Sequence, residues 1–160
     1  QKIQRTNYRI RTPQRHPSHH RLPQNLAICQ TIRLWLHRLL LWRHVAYLAA
    51  TLPEIKATAS FYGAGIATQT PGVGAPTITR TAEIKGTLYG FYGTQDASIP
   101  PEQVDQIAAE LEKHHISHRI FRYNADHGFF CDHRGSYNAT AAAESWEEVK
   151  RLFQQELQPA

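Results

Sequence analysis

The sequence predicts an α/β domain built on a mainly parallel sheet, preceded by a basic segment without regular pattern. Three observations carry that expectation. From residue 45 onward, apolar runs of strand length alternate with stretches of helical period, the order that yields a parallel sheet with helical crossovers. The composition also breaks near residue 44. Residues 1–44 hold nine Lys/Arg and five of the ten His with no Asp, Glu or Gly, whereas 45–160 hold nine Lys/Arg, all thirteen acids and all nine Gly. Finally, two residues suited to proton transfer, Asp96 and His127, each stand directly after a predicted strand.

The ordered part reads as follows. Residues 44–52 (HVAYLAATL) form the end of a helix that Pro53 stops. Residues 55–62 (IKATASFY) make a strand ending at Gly63. The next twenty residues carry Gly65, Pro71, Gly72, Gly74 and Pro76 and read as a long loop. A second strand covers 84–92 (IKGTLYGFY) and is bounded by Gly93. Pro100 and Pro101 then open a helix with Val104, Ile107, Ala108 and Leu111 on one face. Residues 118–123 (HRIFRY) give a third strand. A last helix over roughly 137–157 is expected to turn Ala142, Trp146, Val149 and Phe153 inward and a Glu147–Arg151 pair outward.

Bulk properties narrow the class. A length of 160 residues suits a single domain, and 41% apolar residues suffice for a core. The mean hydropathy of −0.49 speaks against a membrane protein. The pI near 9.4 points to polyanion binding, yet the basic charge sits in the first 44 residues, at +9 against −4 for the remainder. Cys29 and Cys131 have no zinc spacing and follow no secretory signal, so reduced thiols in a cytoplasmic protein are expected. The chain has no Met, which leads us to expect a fragment or an unusual start.

In open α/β sheets the chemistry gathers at the carboxyl ends of the strands. Asp96 lies in Gly-Thr-Gln-Asp-Ala after the second strand, and His127 in Asn-Ala-Asp-His-Gly-Phe after the third. A carboxylate and an imidazole so placed can meet, the acid fixing the tautomer of the base. The order acid then base is that of α/β hydrolases. Spacing alone leaves a second reading open, in which Asp96 caps its loop and His127 is an ordinary loop residue.

Three segments, HVAYLAATLPEIKATASFYGAGI, GTLYGFYGTQDASIPPEQVDQI and FRYNADHGFFCDHRGSYN, make residues 44–157 resemble the C-terminal half of the dienelactone hydrolase family. The resemblance implies a partial α/β-hydrolase fold over 44–160, made of the C-terminal strands and helices of a mainly parallel sheet. It also implies a Cys-Asp-His triad acting on lactones or related carboxylic esters. Asp96 matches the triad acid and His127 the base. No cofactor and no metal are implied, and the partner is a small ester or lactone. Family substrates carry a carboxylate held by arginines. Arg134 is the candidate here, because the position nearest the family's arginine after the histidine is Cys131.

The family nucleophile sits on a sharp turn, Gly-Phe-Cys-Phe-Gly-Gly, just before the HVAYLAA helix. This chain has Arg38-Leu39-Leu40-Leu41-Trp42-Arg43 there, so the nucleophilic cysteine is absent. Those residues can be encoded CGG CTT CTG CTT TGG CGG. Read one base later, and completed by the C of the His44 codon, the string gives GGC TTC TGC TTT GGC GGC, which is Gly-Phe-Cys-Phe-Gly-Gly. Trp35-Leu36-His37 can likewise give Gly-Ser-Ile. Residues 1–43 are therefore expected to be an out-of-frame translation, disordered or irregular, with a one-base deletion at Arg43/His44 restoring the frame. Without the upstream strands, an apolar sheet edge and one uncovered face are expected.

Other features carry less. Residues 31–52 are apolar but interrupted by Arg33, Arg38 and Arg43, which allows a membrane-surface helix as an alternative. Arg5, Arg9, Arg11, Arg15 and Arg21 would attract nucleic acid without specificity. A non-catalytic basic protein binding through 1–43 is thus the second functional reading. His114, His115, His118, Asp126, Cys131, Asp132 and His133 have metal-capable side chains but no HExxH or CxxC spacing. Gly72 and Gly74 precede no helix that would make a phosphate cradle.

Overall fold

The computed structural model describes residues 45–157. The basic segment 1–43, with its expected irregular structure and missing elbow, lies outside the described residues. Among the described residues the architecture is a three-stranded parallel sheet with helices on both faces. In chain order it runs α1 (Val45–Ala49), β1 (Ala57–Phe61), a 3-10 helix (Thr77–Glu83), β2 (Thr87–Gly93), α2 (Pro101–Lys113), β3 (His118–Tyr123) and α3 (Ala139–Glu156). The strands lie in sequence order, β1-β2-β3, and both pairs are parallel.

The middle strand fixes the layering. All seven residues of β2 are buried, as expected for a strand covered on both faces. Leu88 and Tyr92 face a core with Tyr47 of α1, Ile66, Ile84, Ile99, and Val104, Ile107 and Leu111 of α2. Tyr89 and Phe91 face the opposite core, with Phe129 and with Ala141, Val149 and Leu152 of α3. The expectation of one uncovered face is thereby corrected: α1, α2 and the 3-10 helix take one side and α3 the other. On the α3 side Phe61, Phe91 and Phe121 stack across the three strands, with ring centroids 4.4 and 5.0 Å apart. Such aromatic contacts add roughly 0.5–1.5 kcal/mol each beyond the area they bury.

Two details of the sequence reading change. The long loop after β1 contains a 3-10 helix whose buried residues are Thr77 and Thr81. The inward face of α3 is Ala141, Ala142, Ser145, Val149 and Leu152, while Trp146 and Phe153 are half-exposed. Small residues at 141, 142 and 145 let the helix lie close on the sheet. The bulky rings go to its flank, where Trp146 meets Phe130 at 6.3 Å. The outward ion pairs are Lys150–Glu147 and Arg151–Glu148 in place of Glu147–Arg151. Among the described residues no helix is long and apolar enough to cross a membrane.

Candidate active site

Parallel register brings the carboxyl ends of the three strands level. Phe61 stands beside Phe91, and Gly93 beside Tyr123. The chain leaving each strand therefore begins at the same edge of the sheet. Asp96 follows β2, His127 follows β3, and Tyr62 follows β1.

The loops after β2 and β3 are joined by hydrogen bonds. Thr94 N–H donates to Tyr123 O at 2.8 Å and Gln95 N–H to Ala125 O at 3.0 Å. The Gln95 side-chain amide donates to Asn124 Oδ1 at 2.9 Å. This approach requires Gly93, since a Cβ there would stand 2.2 Å from the backbone oxygen of Ala125. The result is contact between the two chemistry-bearing side chains: His127 Nδ1 lies 2.6 Å from Asp96 Oδ2.

Asp96 is 4% exposed, and its second oxygen, Oδ1, accepts from Ser98 N–H at 2.8 Å. A buried carboxylate needs such partners. Because an ionised carboxylate only accepts, the proton between the two rests on Nδ1. Neutral His127 then carries its lone pair on Nε2, the state from which an imidazole takes a proton. The backbone around it is also held: Ser136 Oγ donates to His127 O at 2.7 Å, and Gly128 turns the chain with φ 79°.

Tyr62, which sequence reasoning did not single out, lies against His127. It has φ 37°, left-handed backbone that a bulky side chain adopts at a cost of roughly 1–3 kcal/mol. Its ring centroid lies 5.2 Å from that of His127. Burial, and then the nearby Cys131 thiol, push its hydroxyl above the ordinary tyrosine range, while Arg134 pulls it back. An aromatic residue directly at a strand's carboxyl end was the available signal.

Arg134 is exposed and packs over Gly128, next to His127: its Cδ and a guanidinium nitrogen would stand 2.9 Å from a Cβ built there. Cys131 is a free, half-buried thiol in the same loop. Three of the metal-capable histidines have other partners. His114 Nε2 contacts Glu110 at 2.9 Å, His118 Nδ1 contacts Ile116 O at 2.8 Å, and His133 sits beside Asp132. Among the described residues no three His, Cys, Asp or Glu side chains gather.

The described geometry has counterparts in known proteins. Residues 43–157 match the model of the dienelactone hydrolase family. A Synechocystis protein bearing the name carboxymethylenebutenolidase is 58% identical over 114 residues, which are 71% of this chain and 46% of that protein. An Escherichia coli protein of the same name is 30% identical over 108 residues, 67% of this chain and 40% of its own length. The chain thus spans about half the length of the curated relatives it matches. Among solved structures, a dienelactone hydrolase from Klebsiella pneumoniae superposes with a TM-score of 0.65 at 27% identity, covering 69% of this chain and 47% of that one. A dienelactone hydrolase-like phosphotriesterase from metagenomic libraries shares the fold, with a TM-score of 0.57 at 22% identity over 68% of this chain and 45% of its own. On this sequence and fold similarity, the chain belongs to the dienelactone hydrolase family.

Proposed function

We propose that Asp96 and His127 are the acid and base of a Cys-Asp-His hydrolase acting on carboxylic esters or lactones, and that this chain is inactive because residues 38–43 do not encode the nucleophile. The observation that carries the reading is the 2.6 Å contact between His127 and the buried Asp96 at the ends of adjacent parallel strands. In the reaction, a thiol presented opposite Nε2 loses its proton to His127 and attacks the ester carbonyl. Asp96 stabilises the imidazolium that forms. The proton then passes to the departing alkoxide, leaving a thioester, which water hydrolyses with His127 again as base. Arg134, exposed beside His127 and paired with no carboxylate among the described residues, is the cation offered to a substrate carboxylate.

Neither Cys131 nor Cys29 replaces the missing thiol. Cys131 follows His127 in the same loop, and Cys29 belongs to the basic segment that we propose to be out of frame. The second reading, a basic module acting through residues 1–43, has its support in the nine Lys/Arg and absence of acids there. It predicts salt-dependent retention on nucleic acid that survives loss of Asp96 and His127.

The test uses the frame-repaired, full-length protein carrying the Gly-Phe-Cys-Phe-Gly-Gly turn. Asp96→Asn is expected to lower its turnover of p-nitrophenyl acetate by about 10⁴-fold, the cost of a wrong imidazole tautomer. Arg134→Ala is expected to raise KM for a carboxylate-bearing lactone about tenfold with kcat kept. Full activity in the Asp96 variant would end the reading.

A further inference from the structure

We propose that Tyr62 is a positioning residue for His127: its ring forms the wall that holds the imidazole in the plane of the Asp96 carboxylate. This rests on the reading of Asp96 and His127 as an acid–base pair, and it adds a third strand end, that of β1, to the site.

A single hydrogen bond from Nδ1 to Asp96 leaves the imidazole free to rock about that bond. A second contact must set its plane if Nε2 is to point one way. Among the described aromatic rings, Tyr62 is the one that meets it, with centroids 5.2 Å apart and planes inclined at 56°. Tyr62 is itself wedged. It packs edge-on to Phe129 at 5.6 Å, inclined 79°, and edge-on to Phe61 at 5.8 Å, inclined 65°. Phe129 belongs to the core beneath α3, so the wall is anchored on close-packed interior.

The backbone supports the same conclusion. Tyr62 N–H donates to Phe91 O at 2.8 Å, continuing the β1–β2 ladder, and its carbonyl accepts from Ala64 N–H at 2.8 Å. Between these two bonds the residue adopts φ 37°. Glycine takes that conformation without strain, and Gly63 stands next in the chain. A strained, aromatic residue facing the histidine is what a site pays in order to aim a side chain.

The experiment is solution NMR of the histidine rings on the full chain, reading the Nδ1–H resonance and tautomer of His127. Native protein should show a far-downfield, slowly exchanging Nδ1–H. Tyr62→Phe keeps the ring and should keep that resonance. Tyr62→Ala removes the wall and should lose it, the ring then sampling both tautomers while the amide spectrum of β1–β3 stays native. A sharp, native Nδ1–H in Tyr62→Ala overturns the proposal, as does its loss in Tyr62→Phe. If Tyr62→Ala does not fold, Tyr62→Leu carries the same test. It keeps volume against Phe129 but not the flat face, so a native resonance there also overturns the proposal. Asp96→Asn separates the two levels of the argument. If it leaves the His127 resonance untouched, the acid–base pair itself fails, and the positioning role with it.

Discussion

At the scale of single residues, the site depends on hydroxyls and carboxylates having their partners assigned. Asp96 uses both oxygens, one on Ser98 N–H and one on His127. Their places after adjacent parallel strands allowed these side chains to meet, but spacing alone left a capping role for Asp96 open, and it is the 2.6 Å contact that brings them together. Tyr62 was not singled out: its place at a strand's carboxyl end was a signal, but nothing in the run Phe-Tyr-Gly reports its positive φ. Tyr47 shows the same logic in the core. The Thr81 hydroxyl donates to Ile78 O at 2.6 Å, so in the 2.6 Å contact between the two side chains it is Tyr47 that donates to Thr81. Burial, aided by the Glu110 carboxylate, pushes the Tyr47 hydroxyl up to about 12. The unfolded chain loses this proton first, at its ordinary value near 10. Stability is therefore flat below about pH 10 and falls between about 10 and 12, by roughly 2–3 kcal/mol for this group. Urea midpoints measured across that window should drop less steeply in Tyr47→Phe. An unchanged slope would show that Tyr47 is not held neutral by the fold.

At the scale of elements, the sheet and helices were legible wherever apolar period and punctuation agreed. Residues 118–123 form β3 with the expected bounds, and Pro101 opens α2. The reading failed where burial is polar or small. Thr77 and Thr81 fill the core from the 3-10 helix, and no search for apolar period finds threonines. In α3 the spacing of Ala142, Trp146, Val149 and Phe153 favoured the largest side chains, whereas close packing selects the smallest. The element that makes the site is the pair of loops after β2 and β3. Its critical residue is Gly93, whose Cα faces the Ala125 carbonyl, a backbone atom with no rotamer to yield. Gly93→Ala is expected to destabilise the fold by about 2–4 kcal/mol and to separate Asp96 from His127. A urea midpoint within experimental error of native would contradict the close approach described here.

At the scale of the whole molecule, the basic residues 1–44 and the acidic remainder of the sequence differ sharply in composition. The acidic half matches the dienelactone hydrolase family from residue 43 onward, and the described residues form a two-faced parallel core around β2. The relatives it matches are about twice as long as the matched region. On the proposed reading, Asp96 and His127 at the strand ends would serve a hydrolase assembled from this region as acid and base. The strand and turn for its nucleophile would have to come from sequence before His44, where this chain has Arg38-Leu39-Leu40-Leu41-Trp42-Arg43. Loss of one triad member typically costs several orders of magnitude in rate, so the acid–base pair alone is not expected to sustain turnover.

The decisive measurement is hydrolysis of p-nitrophenyl acetate and of a dienelactone by two purified proteins side by side, this chain and its frame-repaired full-length form. We predict turnover by the repaired protein, abolished by iodoacetamide at the restored cysteine, and none above background by this chain. Turnover by this chain that disappears in His127→Ala would contradict the assignment of the missing nucleophile to residues 38–43 and require another group to take its place.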